Sequence, residues 1–134
     1  MTAADAIRKT RAHIEGKFPK TCPSCHKVFA TLADYLLETR HIGTPVSYDA
    51  QEDDWVPIEP LGTQSMANCS CGSTLVIDSG GMSLWNLWRL MRWARQESRL
   101  RGITMEQLLT WVRAQIDEQV LSESRTGPEH IRAP

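Results

Sequence analysis

Four cysteines are the residues of this chain whose type and spacing can do chemistry. They form a C-x-x-C pair and a C-x-C pair, at positions Cys22, Cys25, Cys69 and Cys71. Together with His26 the first pair reads C-x-x-C-H, which is the attachment signature of c-type haem. The same residues also match half of a zinc site or a redox-active dithiol. The rest of the sequence helps to distinguish these three chemistries.

Two cysteine pairs on tight turns favour tetrahedral metal coordination. Each turn offers two thiolate sulfurs, and sulfur ligands select zinc in most structural sites of reducing compartments. Gly72 allows a sharp turn after the second pair, so that backbone amides approach the sulfurs, and Pro23 stiffens the first turn. We therefore predict a structural Zn²⁺ site built from all four cysteines. Four protein ligands leave no open position, so we expect no catalysis at the metal.

Other uses of the cysteines stay open from the sequence alone. His26 or His41 is an alternative ligand in place of one cysteine, and four cysteines also suffice in number for an iron–sulfur cluster. Metal-free thiols or disulfides are a further alternative. Covalent haem is disfavoured, because it leaves the second pair without a role. A four-thiolate zinc site can also act as a redox switch, in which oxidation forms disulfides and expels the metal.

Two resemblances concern the cysteine pairs. Their combination resembles the zinc centre of the bacterial redox-regulated heat-shock chaperone, with the order of the pairs reversed. The stretch from Cys22 to Ile77 also looks like a group of small bacterial zinc-ribbon-like proteins of unassigned function. The residues that carry this second resemblance are Cys22-Pro23-Ser24-Cys25, the following helix to Arg40, and Cys69-Ser70-Cys71-Gly72-Ser73-Thr74-Leu75. It covers under half of the chain and implies a metal site without a catalytic residue.

A predicted helix over residues 84–101 is unusually rich in tryptophan and arginine. Helical spacing places one apolar face at Leu84, Leu87, Leu90, Met91 and Ala94. The predicted partner-binding residues lie outside that face, at Trp85, Trp88, Arg89, Arg92, Arg95 and Arg99. Three interpretations compete. Arginine stems pack on the tryptophans at the core edge, or the cluster contacts a protein partner or a second copy, or it binds nucleic acid.

Charge and length limit the function classes. The chain has 134 residues and a formal net charge of −1, so we expect one domain without a global attraction to nucleic acid or membranes. Acidic residues of the last helix are expected to neutralise part of the arginine cluster; they are Glu106, Asp117, Glu118 and Glu123. Charges near the N-terminus occupy the place of a signal peptide's apolar region, so we expect a cytoplasmic protein that does not span a membrane.

The remaining elements follow from periodicity and capping signals. We predict helices over 3–15, 32–40, 84–101 and 105–122, and a strand over 73–77. Residues 44–68 are the least regular stretch. Five of its apolar residues supply at most one or two short strands, namely Val46, Tyr48, Trp55, Val56 and Ile58. Four acidic residues there form a solvated loop, namely Asp49, Glu52, Asp53 and Asp54. The tail over 126–134 is expected to be flexible.

These observations predict an α+β fold over residues 1–125: a zinc-ribbon-like centre with short antiparallel strands, an N-terminal helix and a C-terminal helical hairpin. No catalytic motif is present: there is no G-x-S-x-G, P-loop, G-x-G-x-x-G or H-E-x-x-H. We therefore expect a small non-enzymatic zinc protein that works as an adaptor or regulator through its Trp/Arg helix. The alternatives are a thiol-based redox sensor with releasable zinc and a nucleic-acid-binding regulator.

Overall fold

The computed structural model describes residues 1–49 and 61–125. Within them lie four helices and five strands in a mixed α+β arrangement, as the sequence predicts. The helices are α1 (Ala3–Glu15), α2 (Leu32–Glu38), α3 (Leu84–Arg101) and α4 (Met105–Arg125). The strands are β1 (Lys20–Thr21), β2 (Val28–Phe29), β3 (Thr39–Asp49), β4 (Leu61–Cys69) and β5 (Thr74–Asp78).

The strands form two separate antiparallel sheets. β1 pairs with β2, with Thr21 opposite Val28. β4 lies between β3 and β5 in the second sheet, with Thr39 opposite Cys69 and Asn68 opposite Thr74. The register of β3 against β4 shifts between Ile42 and Val46. Each sheet therefore has one of the two cysteine turns at its end. Cys22 directly follows β1, and Cys69 is the last residue of β4.

Side-chain caps explain where the helices begin. The hydroxyls of Thr31 and Ser83 accept hydrogen bonds from the Asp34 and Asn86 amides, both at 3.2 Å. Thr104 and Gln107 form the predicted reciprocal box, at 2.9 and 3.1 Å. Such caps satisfy amides that have no partner inside the helix. The three predicted helix starts at 32, 84 and 105 are confirmed.

α3 and α4 pack against each other as the predicted hairpin. Gly102 ends α3 in the left-handed region at φ 66°, and its amide donates to the Arg99 carbonyl. A side chain at this φ would be strained, so glycine suits the position. The connection to Met105 is short, which is why the two helices lie side by side.

Apolar residues from every layer meet in one core. The fully buried side chains include Phe29, Tyr35, Met91, Leu108 and Ile116. Phe18 and Phe29 each contact the Tyr35 ring edge to face, with centroids 5.5 Å apart. Burial raises the pKa of Tyr35 to about 12. The core thus joins the small sheet to the larger one through α2.

One prediction about the middle of the chain is wrong. The second helix ends at Glu38 rather than at 40, because Thr39 is extended and pairs with Cys69, so Gly43 and Pro45 lie in β3 and do not end the helix. The stretch 44–68, predicted to supply at most one or two short strands, contains the end of β3 and most of β4, which are two strands of the larger sheet. Its remaining part, 50–60, lies outside the described residues, with the acidic loop beyond Asp49 and the apolar residues Trp55, Val56 and Ile58. The tail over 126–134 also lies outside them.

The apolar face of α3 is confirmed except at its first residue. Leu87, Leu90, Met91 and Ala94 are buried, whereas Leu84 is 75% exposed. Leu84 lies in the first helical turn, before the helix meets the core. In the described ranges, no helix combines the length and the apolar character needed to cross a lipid bilayer.

Candidate metal centre

The first cysteine pair lies in the turn that connects β1 to β2. The Cys22 amide donates to the Lys27 carbonyl at 2.9 Å, and the His26 amide donates back to the Cys22 carbonyl at 2.9 Å. His26 has a φ of 64°, in the left-handed region that non-glycine residues rarely adopt. This position, directly after the second cysteine of the pair, reverses the chain toward β2.

The second pair lies in the turn between β4 and β5 and is built in the same way. The Cys69 amide donates to the Ser73 carbonyl at 2.8 Å, and the Gly72 amide donates to the Cys69 carbonyl at 2.9 Å. Gly72 has a φ of 92° and occupies the place that His26 occupies in the first turn. The two turns are therefore alike, although one contains two residues between its cysteines and the other contains one.

The fold brings the four sulfurs together. Sγ of Cys22 lies 3.7 Å from Sγ of Cys71, and Sγ of Cys25 lies 3.7 Å from Sγ of Cys69. All four sulfurs lie within 4.8 Å of one another. Four sulfurs at the usual zinc–sulfur distance of about 2.3 Å from one tetrahedral ion are about 3.8 Å apart. All four cysteines are free, and they are positioned to bind one metal ion.

Backbone amides that approach the sulfurs favour the thiolate form at two of the positions. The amides of Cys25 and Ser24 lower the pKa of Cys22. The hydroxyl and then the amide of Ser73 lower the pKa of Cys71 to about 6. Thiolates are the metal-binding form of cysteine. Ser73 was not among the predicted site residues, although it belongs to the segment that carries the sequence resemblance; it stands two residues after Cys71, where β5 is about to begin.

Cys25 differs from its neighbours. The Lys27 amide lowers the pKa of its thiol, but desolvation and the adjoining sulfurs of Cys22, Cys69 and Cys71 outweigh that amide and raise the pKa to about 11. Crowding of sulfurs has this effect because several thiolates side by side repel each other. A cation placed among them removes that repulsion, so the arrangement suits a positive ion.

The site is half open to solvent. Cys22 and Cys69 are buried, at 0% and 3% exposure, whereas Cys25 and Cys71 are exposed. The buried cysteine of each turn packs into the hydrophobic core, and the exposed one faces outward. Each turn thus contributes one inner and one outer sulfur.

Both predicted alternative ligands lie outside the sulfur group. Among the described residues, the potential metal-binding group contains the four cysteines and no histidine. His26 is exposed and shapes the first turn through its backbone. His41 lies in β3, and its Nε2 is 3.0 Å from Oδ2 of Asp117 in α4.

The structure brings part of the predicted Trp/Arg cluster together. The rings of Trp85 and Trp88 stack with centroids 5.5 Å apart, and the Arg92 guanidinium lies 5.3 Å from the Trp88 centroid. Trp85 and Trp88 are 65% and 38% exposed. With Arg89 these residues line a shallow groove of about 350 Å³. Arg95 and Arg99 lie further along α3 and do not line it.

The expected neutralisation of the cluster by α4 is wrong for two of its acidic residues. Asp117 bonds His41, and Glu123 forms an ion pair with Arg11 of α1. These carboxylates face β3 and α1 because α4 also packs on those elements. α3 carries five arginines and one acidic residue, Glu97, which bonds Arg101 at 2.9 Å. The exposed side of α3 is thus locally basic on a chain of net charge −1.

Comparison with known proteins does not indicate a function for this chain. No protein-family model, curated protein or solved structure matches this chain.

Proposed function

We propose that this chain is a small zinc protein without enzymatic activity, in which one Zn²⁺ joins the two cysteine turns and the Trp/Arg helix contacts a protein partner. The observation that carries the metal part is the group of four sulfurs within 4.8 Å of one another. Four sulfur ligands are the donor set of structural zinc sites, whereas Ca²⁺ and Mg²⁺ require oxygen ligands.

The metal would act on the fold rather than on a substrate. One turn connects the two strands of the small sheet, and the other connects two strands of the larger sheet. An ion bound to both turns would therefore hold the two sheets together. A site of this kind rarely exists in the unfolded chain, so its binding free energy contributes to folding. Four thiolates would fill the coordination sphere and leave no position for a substrate.

Metal analysis of purified protein tests this proposal. We expect close to one zinc per chain, and a strong decrease when any of the four cysteines is changed to serine. Ser24→Ala and Ser70→Ala are matched controls, because these residues lie between the cysteines of each pair and should keep the zinc. Purified protein that is found to contain no zinc, or cysteine variants that still contain zinc, would contradict the proposal.

The exposed indoles support the partner part. Tryptophan and arginine are the residues most enriched among interface anchors. Trp85 and Trp88 present apolar area to solvent, and among the described residues neither Arg89 nor Arg92 has a carboxylate partner. A partner surface that combines apolar and acidic residues would complement this arrangement. A second copy of the chain is included as a possible partner.

Site-specific photocrosslinking in cells tests the partner surface. A photoreactive phenylalanine analogue at Leu84, which is 75% exposed beside Trp85, should give a discrete adduct that disappears with Trp88→Ala. The same analogue at Leu100, which is 82% exposed near the other end of α3, is the control. Equal adducts at both positions, or none at Leu84, would argue against this surface.

Redox-controlled release is a second candidate function, favoured by the exposure of Cys25 and Cys71. Each sulfur lies 3.7 Å from a sulfur of the other turn. Oxidation of the pairs Cys22–Cys71 and Cys25–Cys69 would form two disulfides. For each one, two thiolates give two electrons to one hydrogen peroxide, which takes up two protons and becomes two waters. Zinc would leave as its ligands are consumed. Peroxide that releases zinc, followed by thiol reduction that restores binding, would support this role; irreversible loss would oppose it.

A further inference from the structure

A cavity of about 120 Å³, partly open to solvent, lies between the larger sheet and the helices. All four helices contribute apolar side chains to its wall, among them Ile14, Leu32, Leu90, Met91 and Val112. None of the four cysteines lines it, so it is separate from the metal site. Trp93 and Ala94 of α3 also border it and are themselves buried.

The cavity is larger than the gaps that packed side chains usually leave. Side chains in cores are packed as densely as in organic crystals, with few voids larger than a water molecule. An engineered apolar cavity of about 150 Å³ in another protein stays dry and accepts benzene. The volume here suits one aromatic ring or a short alkyl chain.

One side of the cavity carries charge. The Arg113 guanidinium donates to Oγ of Ser65 at 3.2 Å and to the Gly43 carbonyl at 3.3 Å, both uncharged acceptors. Two of its five N–H groups are engaged in this way. The two carboxylates of the wall have other partners: Asp117 bonds His41, and Asp78 lies 3.8 Å from Nζ of Lys17. Within the described residues, Arg113 is the cavity cation without a carboxylate partner.

A second polar group beside the cavity is incompletely satisfied. Nε2 of His41 contacts the Asp117 carboxylate, which can only accept, so this nitrogen carries the proton. Nδ1 of the same ring is buried and has no hydrogen-bond partner in the part of the chain that the structure describes. An unpaired buried polar atom costs free energy. With the proton on Nε2 this Nδ1 is an acceptor, so a ligand hydroxyl at this side would compensate part of that cost, whereas a carboxylate oxygen would not.

We propose that this cavity binds a small, largely apolar organic acid, with its ring or chain among the core side chains and its carboxylate on Arg113. Arg113 favours an anion, because its two hydrogen-bond acceptors, the Ser65 hydroxyl and the Gly43 carbonyl, carry no charge. This site contains none of the four cysteines of the zinc centre.

Calorimetric titration of the full zinc-loaded chain tests the ligand class. The probes are benzoate, benzylamine and toluene, which share one ring and differ in charge. Benzoate should bind most tightly, and Arg113→Gln should weaken it about tenfold or more, as expected for a lost charge-assisted hydrogen bond. Arg8→Gln, which removes a charge from an exposed position of α1, should change nothing. Benzylamine or toluene binding as tightly as benzoate, or an unaffected Arg113→Gln variant, would overturn the proposal.

Filling the cavity provides a second test. Ala94→Met and Leu109→Phe each add side-chain volume at the wall, so benzoate binding should disappear while the fold is kept. Circular dichroism and a melting curve show which variants are folded. Unchanged benzoate affinity in a folded filled variant would contradict the proposal. If both variants fail to fold, the Arg113→Gln result decides.

Discussion

Cys22 and Cys71 are 49 residues apart in the chain, yet their sulfurs lie 3.7 Å from each other. The same is true of Cys25 and Cys69, whose sulfurs are also 3.7 Å apart across the two turns. A metal ion at this point closes a long loop and joins two sheets that share no strand. Closing a long loop carries an entropic cost that the metal–sulfur bonds must exceed.

Removing the metal should therefore destabilise the whole chain. Structural zinc contributes about 10–16 kcal/mol in zinc-finger peptides, whereas a whole domain has a net stability of about 5–15 kcal/mol. We expect a strong chelator, or Cys69→Ser, to remove most of the unfolding free energy. Urea denaturation of metal-loaded and chelated protein measures the difference. Identical urea midpoints would show that the sulfur group has no structural metal.

The pH at which zinc leaves should depend on Ser73. Its hydroxyl and amide lower the pKa of Cys71 to about 6, well below the ordinary value for a thiol. Because the folded chain lowers the pKa of Cys71, the thiolate contributes its full stabilisation at pH values above the ordinary thiol pKa. This contribution is lost as the pH falls through about 6. Ser73→Ala should raise that pKa, so protons displace zinc at a higher pH. A zinc-release curve with a chromogenic chelator tests this, and Ser70→Ala is the control. A release midpoint that does not move in Ser73→Ala would contradict the assignment.

His26 should be replaceable by glycine without loss of metal. Its φ of 64° costs a non-glycine residue roughly 1–2 kcal/mol. His26→Gly should therefore raise stability by about 1 kcal/mol and keep one zinc per chain. His26→Val should lower stability, because a β-branched side chain tolerates this backbone poorly. Zinc content and melting temperature of the two variants distinguish the roles. A loss of zinc in His26→Gly would make the imidazole a ligand.

The tryptophans of α3 should separate into two classes. Trp93 is 8% exposed and borders the core, so Trp93→Ala should cost about 3–5 kcal/mol. Trp85 is 65% exposed, and Trp85→Ala should change stability by less than about 1 kcal/mol. Chemical denaturation of both variants measures the two free energies. A large loss in Trp85→Ala would place this indole in the core rather than on a partner surface.

The local features of this fold could be predicted from the sequence. Thr31, Ser83 and Thr104 cap helices because their hydroxyls bond amides only three residues away. The α3 face at Leu87, Leu90, Met91 and Ala94 follows from helical periodicity. Such features depend on neighbours along the chain, so no knowledge of the tertiary structure is needed to find them.

Features that depend on distant residues could not be predicted in the same way. α2 ends early because Thr39 pairs with Cys69, and no local signal indicates that partner. The partners of Asp117 and Glu123 likewise depend on how α4 packs on β3 and α1. The cysteine spacing predicted a metal site, but only the fold shows which sulfurs of the two turns lie 3.7 Å apart. The central cavity has no sequence signal, since it results from the packing of all the layers.

X-ray absorption at the zinc edge of purified protein tests the central claim most directly, because it reports the number, type and distance of the metal ligands. A structural centre built from Cys22, Cys25, Cys69 and Cys71 predicts four sulfur atoms at about 2.3 Å and no nitrogen. A nitrogen ligand at about 2.0–2.1 Å, or a bound water in the coordination sphere, would contradict the four-cysteine zinc site.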